Sequence, residues 1–393
     1  MNMQNIVKLP ERTLMGPGPS EINPRVLVAL SQPAIGHLDP AFVSLMDEVK
    51  DLLRYAFQTS NRLTFPVSGP GSAGMETCFV NLIEPGDKVI VARNGVFGTR
   101  MQEMASRLGA QVVTVDDEWG HVADPGKIEE ALRANPDACA VAFVHAETST
   151  GVLSDAKTIA EIAHRHGCLT IVDAVTSLAG SPLYVDDWGL DAVYSGAQKC
   201  LSCVAGISPV TIGEQALAKM KRRKSPVPTW FHDLGLIAGY WSEGGTRAYH
   251  HTAPVNSIFA LTEALRLLKQ EGLDRAWKRH QENAQRLVLG LQRLGLDMLV
   301  QDPASRLPQL NAVRLPVDID ETAIRSRLLN EKNLEIGAGL GPLAGKVWRI
   351  GLMGYSSRPE NVSFCLDALG SELGAATRTA RGATARTSFR FSR

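Results

Sequence analysis

Lys199 closes the run Val193-Tyr194-Ser195-Gly196-Ala197-Gln198-Lys199, and 26 positions upstream the apolar stretch Leu169-Thr170-Ile171-Val172 ends in Asp173. A lysine just past one strand can form a Schiff base with an aldehyde. An aspartate at the tip of another strand can keep a pyridine nitrogen protonated, so that the ring accepts electrons when a substrate Cα loses its proton. Those are the two protein contacts that pyridoxal phosphate needs. Either residue alone reads as ordinary, the lysine as a surface charge. The pair on neighbouring βα units points to that cofactor.

Further motifs sit around this pair. Ser68-Gly69-Pro70-Gly71-Ser72-Ala73-Gly74-Met75-Glu76 follows a strand pattern and opens a helical one. Small residues there let the backbone approach an anion, and the amides at a helix start hold phosphate. The segment also spells G-x-G-x-x-G at 69, 71 and 74, but the next strand ends in Ala92-Arg93-Asn94, without the acid that a dinucleotide ribose requires. A single phosphate is expected; a tight strand-to-helix turn is the other account of the same residues. Arg349 interrupts the apolar strand pattern Val347-Trp348-Arg349-Ile350-Gly351. A buried guanidinium pairs with an anion, either a substrate carboxylate or an internal Asp or Glu. Cys200-Leu201-Ser202-Cys203 lacks the second ligand pair that zinc wants, and the adjacent His250 and His251 point apart on any regular element, so no metal is expected.

The elements that must position these residues alternate from about 62 to 213. Strand patterns at 63–67, 88–92, 111–115, 139–144 and 169–173 are separated by helical patterns at 75–82, 97–108, 127–133 and 156–166. Continuous apolar strands with crossover helices predict a doubly wound, mainly parallel α/β sheet, with its ligand at the carboxyl ends of the strands. Residues 39–57 form an amphipathic helical pattern, and 254–269 and 273–294 predict two long helices. Beyond them a small α+β domain is expected. The predicted division is an N-terminal arm at 1–22, a large domain at 23–270, a small C-terminal domain at 271–375 and a flexible tail at 376–393.

The 393 residues carry a formal charge of zero, with 21% charged and 44% hydrophobic residues. That balance fits a globular protein and argues against a nucleic-acid binder. No apolar run approaches the ~18–20 residues of a membrane helix, and the N-terminus has no signal-peptide layout. Six scattered cysteines fit a reducing compartment, and the cytoplasm is expected. After Glu372 the tail holds Arg378, Arg381, Arg386, Arg390 and Arg393 and no acid, which leaves −5 on residues 1–372.

Together these segments resemble the class V, fold-type I pyridoxal-phosphate aminotransferases, within them the alanine–glyoxylate and serine–pyruvate/glyoxylate branch. The resemblance covers roughly residues 13–372. It rests on Gly16-Pro17-Gly18-Pro19-Ser20, Ser68–Glu76, Glu147-Thr148-Ser149-Thr150-Gly151, Val172-Asp173, Ser195–Lys199, Tyr249–Thr252 and Gly339-Leu340-Gly341-Pro342 with Arg349-Ile350-Gly351. It implies a seven-stranded sheet and a homodimer with shared sites. It also implies that Lys199 is the Schiff-base lysine and proton shuttle, and that Asp173 pairs with the pyridine nitrogen. The Gly71-Ser72-Ala73 turn and Gln198 hold the phosphate, joined by Tyr249 and Thr252 from the other subunit. Thr148 sits near the phenolic oxygen, Phe97 stacks where relatives often place tryptophan, Arg349 binds the substrate carboxylate, and Gly16 lines the substrate pocket. Many relatives have histidine where Ser72 stands.

The implied reaction is transfer of the amino group of alanine or serine to glyoxylate or pyruvate in ping-pong fashion. Ureidoglycine–glyoxylate transamination is the alternative; relatives with that activity tend to carry asparagine at the place of Tyr249 and glutamine at the place of His37. Cysteine desulfuration is disfavoured by Gln198, where those relatives have histidine, and a nicotinamide dehydrogenase by the missing ribose acid. Replacement Lys199→Ala is expected to abolish turnover while some cofactor still binds non-covalently. Turnover at the wild-type rate would overturn the assignment.

Overall fold

Residues 9–242, 247–316 and 319–388 are described by a computed structural model, with side chains to residue 374. Residues 1–8 of the predicted arm, 389–393 of the predicted tail and the side chains of the tail arginines lie outside that description.

Seven strands build the large sheet: β1 (Leu63–Ser68), β2 (Lys88–Arg93), β3 (Gln111–Asp116), β4 (Ala138–Val144), β5 (Leu169–Asp173), β6 (Ala192–Tyr194) and β7 (Ile207–Ile212). Their order is β1-β7-β6-β5-β4-β2-β3. Only β7 runs against its neighbours, and the pairs from β6 to β3 are all parallel. Strands β4 to β6 are buried almost throughout, because helices cover both faces and each strand reads as a continuous apolar run. The carboxyl ends of β1 to β6 therefore share one edge of the sheet, where the loops carrying the predicted site residues emerge.

Local capping fixes the helices that bracket this edge. Asp39 accepts from Ala41 N at 2.8 Å and starts the Pro40–Phe57 helix with proline at its first turn. Asp155 does the same for Ala156–Arg165 through Thr158 N. The helix Gly71–Leu82 begins differently, after Pro70 and with no side-chain cap, so its first amides face the sheet edge.

Among the described residues two large hydrophobic cores form, beside a small cluster of Leu299, Ala312 and Val347. One lies around the large sheet and includes Phe65, Phe79, Phe143, Tyr194 and Trp277. The second joins Met15, Leu287, Leu291, Trp348, Ile350 and Leu369 around a three-stranded antiparallel sheet of Leu310–Arg314, Val347–Gly351 and Gly337–Ala338. The Leu273–Arg293 helix passes from one core into the other, with Trp277 in the first and Leu287 in the second. The stretch expected as a flexible tail continues as helical backbone to Ser388, in keeping with the helix propensity of its alanines and arginines.

The N-terminal arm ties the two parts together. Thr13–Leu14 pairs in parallel with Leu334–Glu335, and Gly351 N donates to Met15 O at 2.7 Å. The approach is so close that a Cβ on Gly351 would sit 1.9 Å from Gly16 O. Farther along, Ser20 N donates to Gln198 O at 2.9 Å and Ser20 Oγ to Lys199 O at 2.7 Å. The arm thus carries the Gly16–Ser20 segment onto the lysine loop.

Candidate active site

Gly71, Ser72, Phe97, Thr148, Asp173, Gln198 and Lys199, all expected from the sequence, line one cleft at the carboxyl edge of the sheet. Asp173 ends β5 and is wholly buried. Its Oδ1 accepts from Val175 N at 2.8 Å, and its Oδ2 from the Tyr194 hydroxyl at 2.8 Å. Tyr194 stands directly opposite Asp173 in the β5–β6 register, so sheet pairing delivers the contact. Burial pushes the Asp173 carboxyl up to about 6, against these two hydrogen bonds and the charges of Lys199 and Arg100.

Lys199 Nζ donates to the Pro17 carbonyl. Gly18, at φ +105°, lies against the lysine so tightly that a Cβ would fall 2.3 Å from Nζ. Loss of water is the main reason the amine is brought down to about 8; Arg349 pushes the same way, while Cys200 and Asp173 oppose it.

Arg349 is buried and ends in two backbone contacts, Nε to Ala338 O at 2.7 Å and Nη1 to Thr148 O at 3.3 Å. No ion pair joins it among the described residues, and the internal acid that reaches it electrostatically is Glu147. Burial lowers the Arg349 pKa to about 10, with Glu147 opposing.

Arg349 is not among the residues that line the cleft, and the remaining expected residues also stand outside it. The Cβ of Ala73 packs where a Cβ on Gly69 would come within 2.5 Å. Gly16 packs against Gly351. Tyr249 is 62% exposed, and its hydroxyl lies 3.4 Å from Thr252 Oγ1. Neither residue lines the cleft of its own chain. The two adjacent histidines meet through their Nδ1 atoms at 2.8 Å, with the rings nearly perpendicular.

Three contributors had no role from sequence reasoning. Tyr194 was visible only as part of the lysine run. Arg100 lines the cleft, donates to Ser72 Oγ at 3.1 Å and lies 5.1 Å from the Phe97 ring centre. Glu147 is buried behind the wall; the signal that could have flagged it is a carboxylate inside the polar, fully buried run Glu147–Thr150.

The class-V aminotransferase family model matches residues 25–360. The chain belongs to the class-V aminotransferases. It is 43% identical to an alanine–glyoxylate aminotransferase of Oryctolagus cuniculus over 92% of each chain. It is 40% identical to a (S)-ureidoglycine–glyoxylate transaminase of Bacillus subtilis, over 92% of this chain and 90% of that one. A solved alanine–glyoxylate aminotransferase from Nostoc sp. superimposes on this class-V aminotransferase with a TM-score of 0.92, at 46% identity, covering 95% of this chain and 98% of that one.

The charge arrangement has a measurable sign. In the apoprotein, Lys199 loses its proton near pH 8 instead of at the ordinary 10.5. Because the folded value lies below the unfolded one, burying this amine costs stability most below pH 8, and the cost fades as the pH rises to 10.5. Competitive labelling of Lys199 against pH is expected to show this depressed midpoint. Arg349→Ala should move the midpoint up and Asp173→Asn should move it down; the opposite order would refute the coupling.

Proposed function

We propose that this class-V aminotransferase is a pyridoxal-phosphate-dependent transaminase. It moves the amino group of a small L-amino acid, alanine with serine as a second donor, to glyoxylate or pyruvate in ping-pong fashion. The observation that carries the reading is the Lys199 amine, held largely out of water within electrostatic reach of a buried carboxylate, Asp173, and a buried guanidinium, Arg349, that has no acid partner among the described residues.

The residues present fit the cofactor. Gln198 Oε1 is a buried polar atom with no hydrogen-bond partner, and rotation of the amide presents donors at the same place. The Gly71–Leu82 helix offers uncapped amides beside it, suited to a phosphate. At Asp173 a cationic ring nitrogen would draw down the raised pKa of the carboxyl. Gly71, Ser72, Ala73 and Gln198 would hold the phosphate, with Tyr249 and Thr252 of the partner subunit. Phe97 and Thr148 would hold the ring, and Gly16 would border the substrate. That Tyr249 and Thr252 stand clear of their own cleft supports a homodimer with shared sites. The scattered cysteines support the cytoplasm.

When bound, pyridoxal phosphate supplies an aldehyde carbon for the amino nitrogen and a ring that draws electrons from the substrate Cα. Arg349 orients the substrate through its carboxylate. Lys199, its pKa brought down by poor hydration, would take the Cα proton and pass it to the cofactor's aldehyde-derived carbon; in the second half-reaction it would take a proton from that carbon and give one to the Cα of the acceptor. Asp173 holds its charge against the ring nitrogen throughout. The same residues serve the incoming keto acid, since it presents the same carboxylate.

The donor is what a second reading changes. Similarity to the Bacillus subtilis enzyme supports ureidoglycine, while Tyr249 supports the alanine and serine branch. An absorption spectrum of the purified protein should be followed during separate additions of L-alanine, L-serine, L-cysteine and (S)-ureidoglycine, each followed by glyoxylate. The visible cofactor band is expected to bleach with alanine and serine and to return with glyoxylate. No band after addition of pyridoxal phosphate would sink the reading, and bleaching with ureidoglycine alone would select the alternative. For Arg349→Ala, loss of charge-assisted hydrogen bonds of ~1.5–3 kcal/mol should raise KM for donor and acceptor about 10- to 100-fold. Unchanged values would refute its role.

A further inference from the structure

Phe97 and Arg100 face the cleft from the first turns of the Val96–Arg107 helix. That helix has no cap of its own, because Gly95 precedes it and brings no side chain. A helix start leaves its first amides without intrahelical partners. Here they are met from the chain beyond β4. Val96 N donates to Ser149 Oγ at 2.9 Å, while Phe97 N and Gly98 N donate to Glu147 Oε2 at 3.1 and 3.4 Å. The other carboxylate oxygen accepts from Ser149 N at 3.0 Å and Ser149 Oγ at 2.6 Å.

The fit leaves no room for another arrangement. A Cβ on Gly95 would lie 2.4 Å from Glu147 Cδ and 2.4 Å from Ser149 Oγ, so glycine there permits the approach. Glu147 itself does not line the cleft. Its neighbour Thr148 does, and also gives its carbonyl to Arg349 Nη1. A carboxylate suits this place for two reasons. When ionised it accepts from four donors and its negative charge is favoured at a helix N-terminus, while burial pushes its pKa up to about 7 against these hydrogen bonds. Glutamine would keep the shape but turn an NH₂ toward donors.

We infer that Glu147 is a positioning residue: it pins the first turn of the Val96–Arg107 helix and so holds the Phe97 ring against the cofactor. This rests on the pyridoxal-phosphate reading. For binding of the cofactor Glu147 acts through Phe97, so its loss should add little once the ring is gone.

The test is a double-mutant cycle on full-length apoprotein titrated with pyridoxal phosphate, reading the dissociation constant from the visible band. Glu147→Gln and Phe97→Ala should each weaken binding about 10-fold, and the double variant should be no weaker than Phe97→Ala within about threefold. Losses that multiply to about 100-fold, or a Glu147→Gln protein that binds like wild type, would overturn the inference. A wild-type protein that binds no pyridoxal phosphate would instead overturn the functional reading. Far-UV circular dichroism checks folding. If Glu147→Gln does not fold, Ser149→Ala takes its place in the cycle, since it removes the hydroxyl that serves both Val96 N and Glu147. It should weaken binding about threefold alone and add nothing to Phe97→Ala; multiplying losses would overturn the inference in that form too.

Discussion

An amine removed from water gives up its proton more readily than one at the surface, and the site is arranged around keeping Lys199 in that condition. Desolvation comes from the arm, whose Pro17 carbonyl accepts from Nζ and whose Gly18 lies flat on the side chain. The positive charge of Arg349 pushes the same way, and the negative charge of Asp173 limits the effect. The outcome is an amine whose pKa is brought down to about 8. The sheet edge, the arm and the small sheet each contribute one part of this balance, so none of them is merely scaffolding.

Much of this was legible in the sequence, for identifiable reasons. The strands and helices between 63 and 173 announce themselves because buried parallel strands are unbroken apolar runs separated by helical patterns. Lys199 and Asp173 stand out because charge at the end of such a run is costly without a task. The direction of β7 was not legible, since an apolar run looks the same whichever way the strand points. Nor was the Tyr194–Asp173 contact, because it depends on which residues face each other across two strands. Glu147 and Arg100 were hidden for a similar reason. Their partners come from elements brought together only by the sheet order, as when the chain after β4 meets the helix after β2.

Charge is distributed through the site with economy. The buried Glu147 carboxylate opposes the lowering of the Arg349 pKa, and burial, with a smaller push from Asp173, raises that of Glu147 in turn. Removing one member of such a set leaves the others facing an altered field in a poorly hydrated space, where electrostatic effects are large. Neutralising one group here therefore propagates to residues it does not touch.

The pairing of Thr13–Leu14 with Leu334–Glu335 sets the order in which the site can be completed. The arm finds its strand partner only after some 320 residues have followed it. The large sheet can form around its own core as it emerges, but the amine of Lys199 stays wet until the arm has a ledge to rest on. The surroundings of Lys199 thus wait on topology, because the two halves of the ledge are made some 320 residues apart.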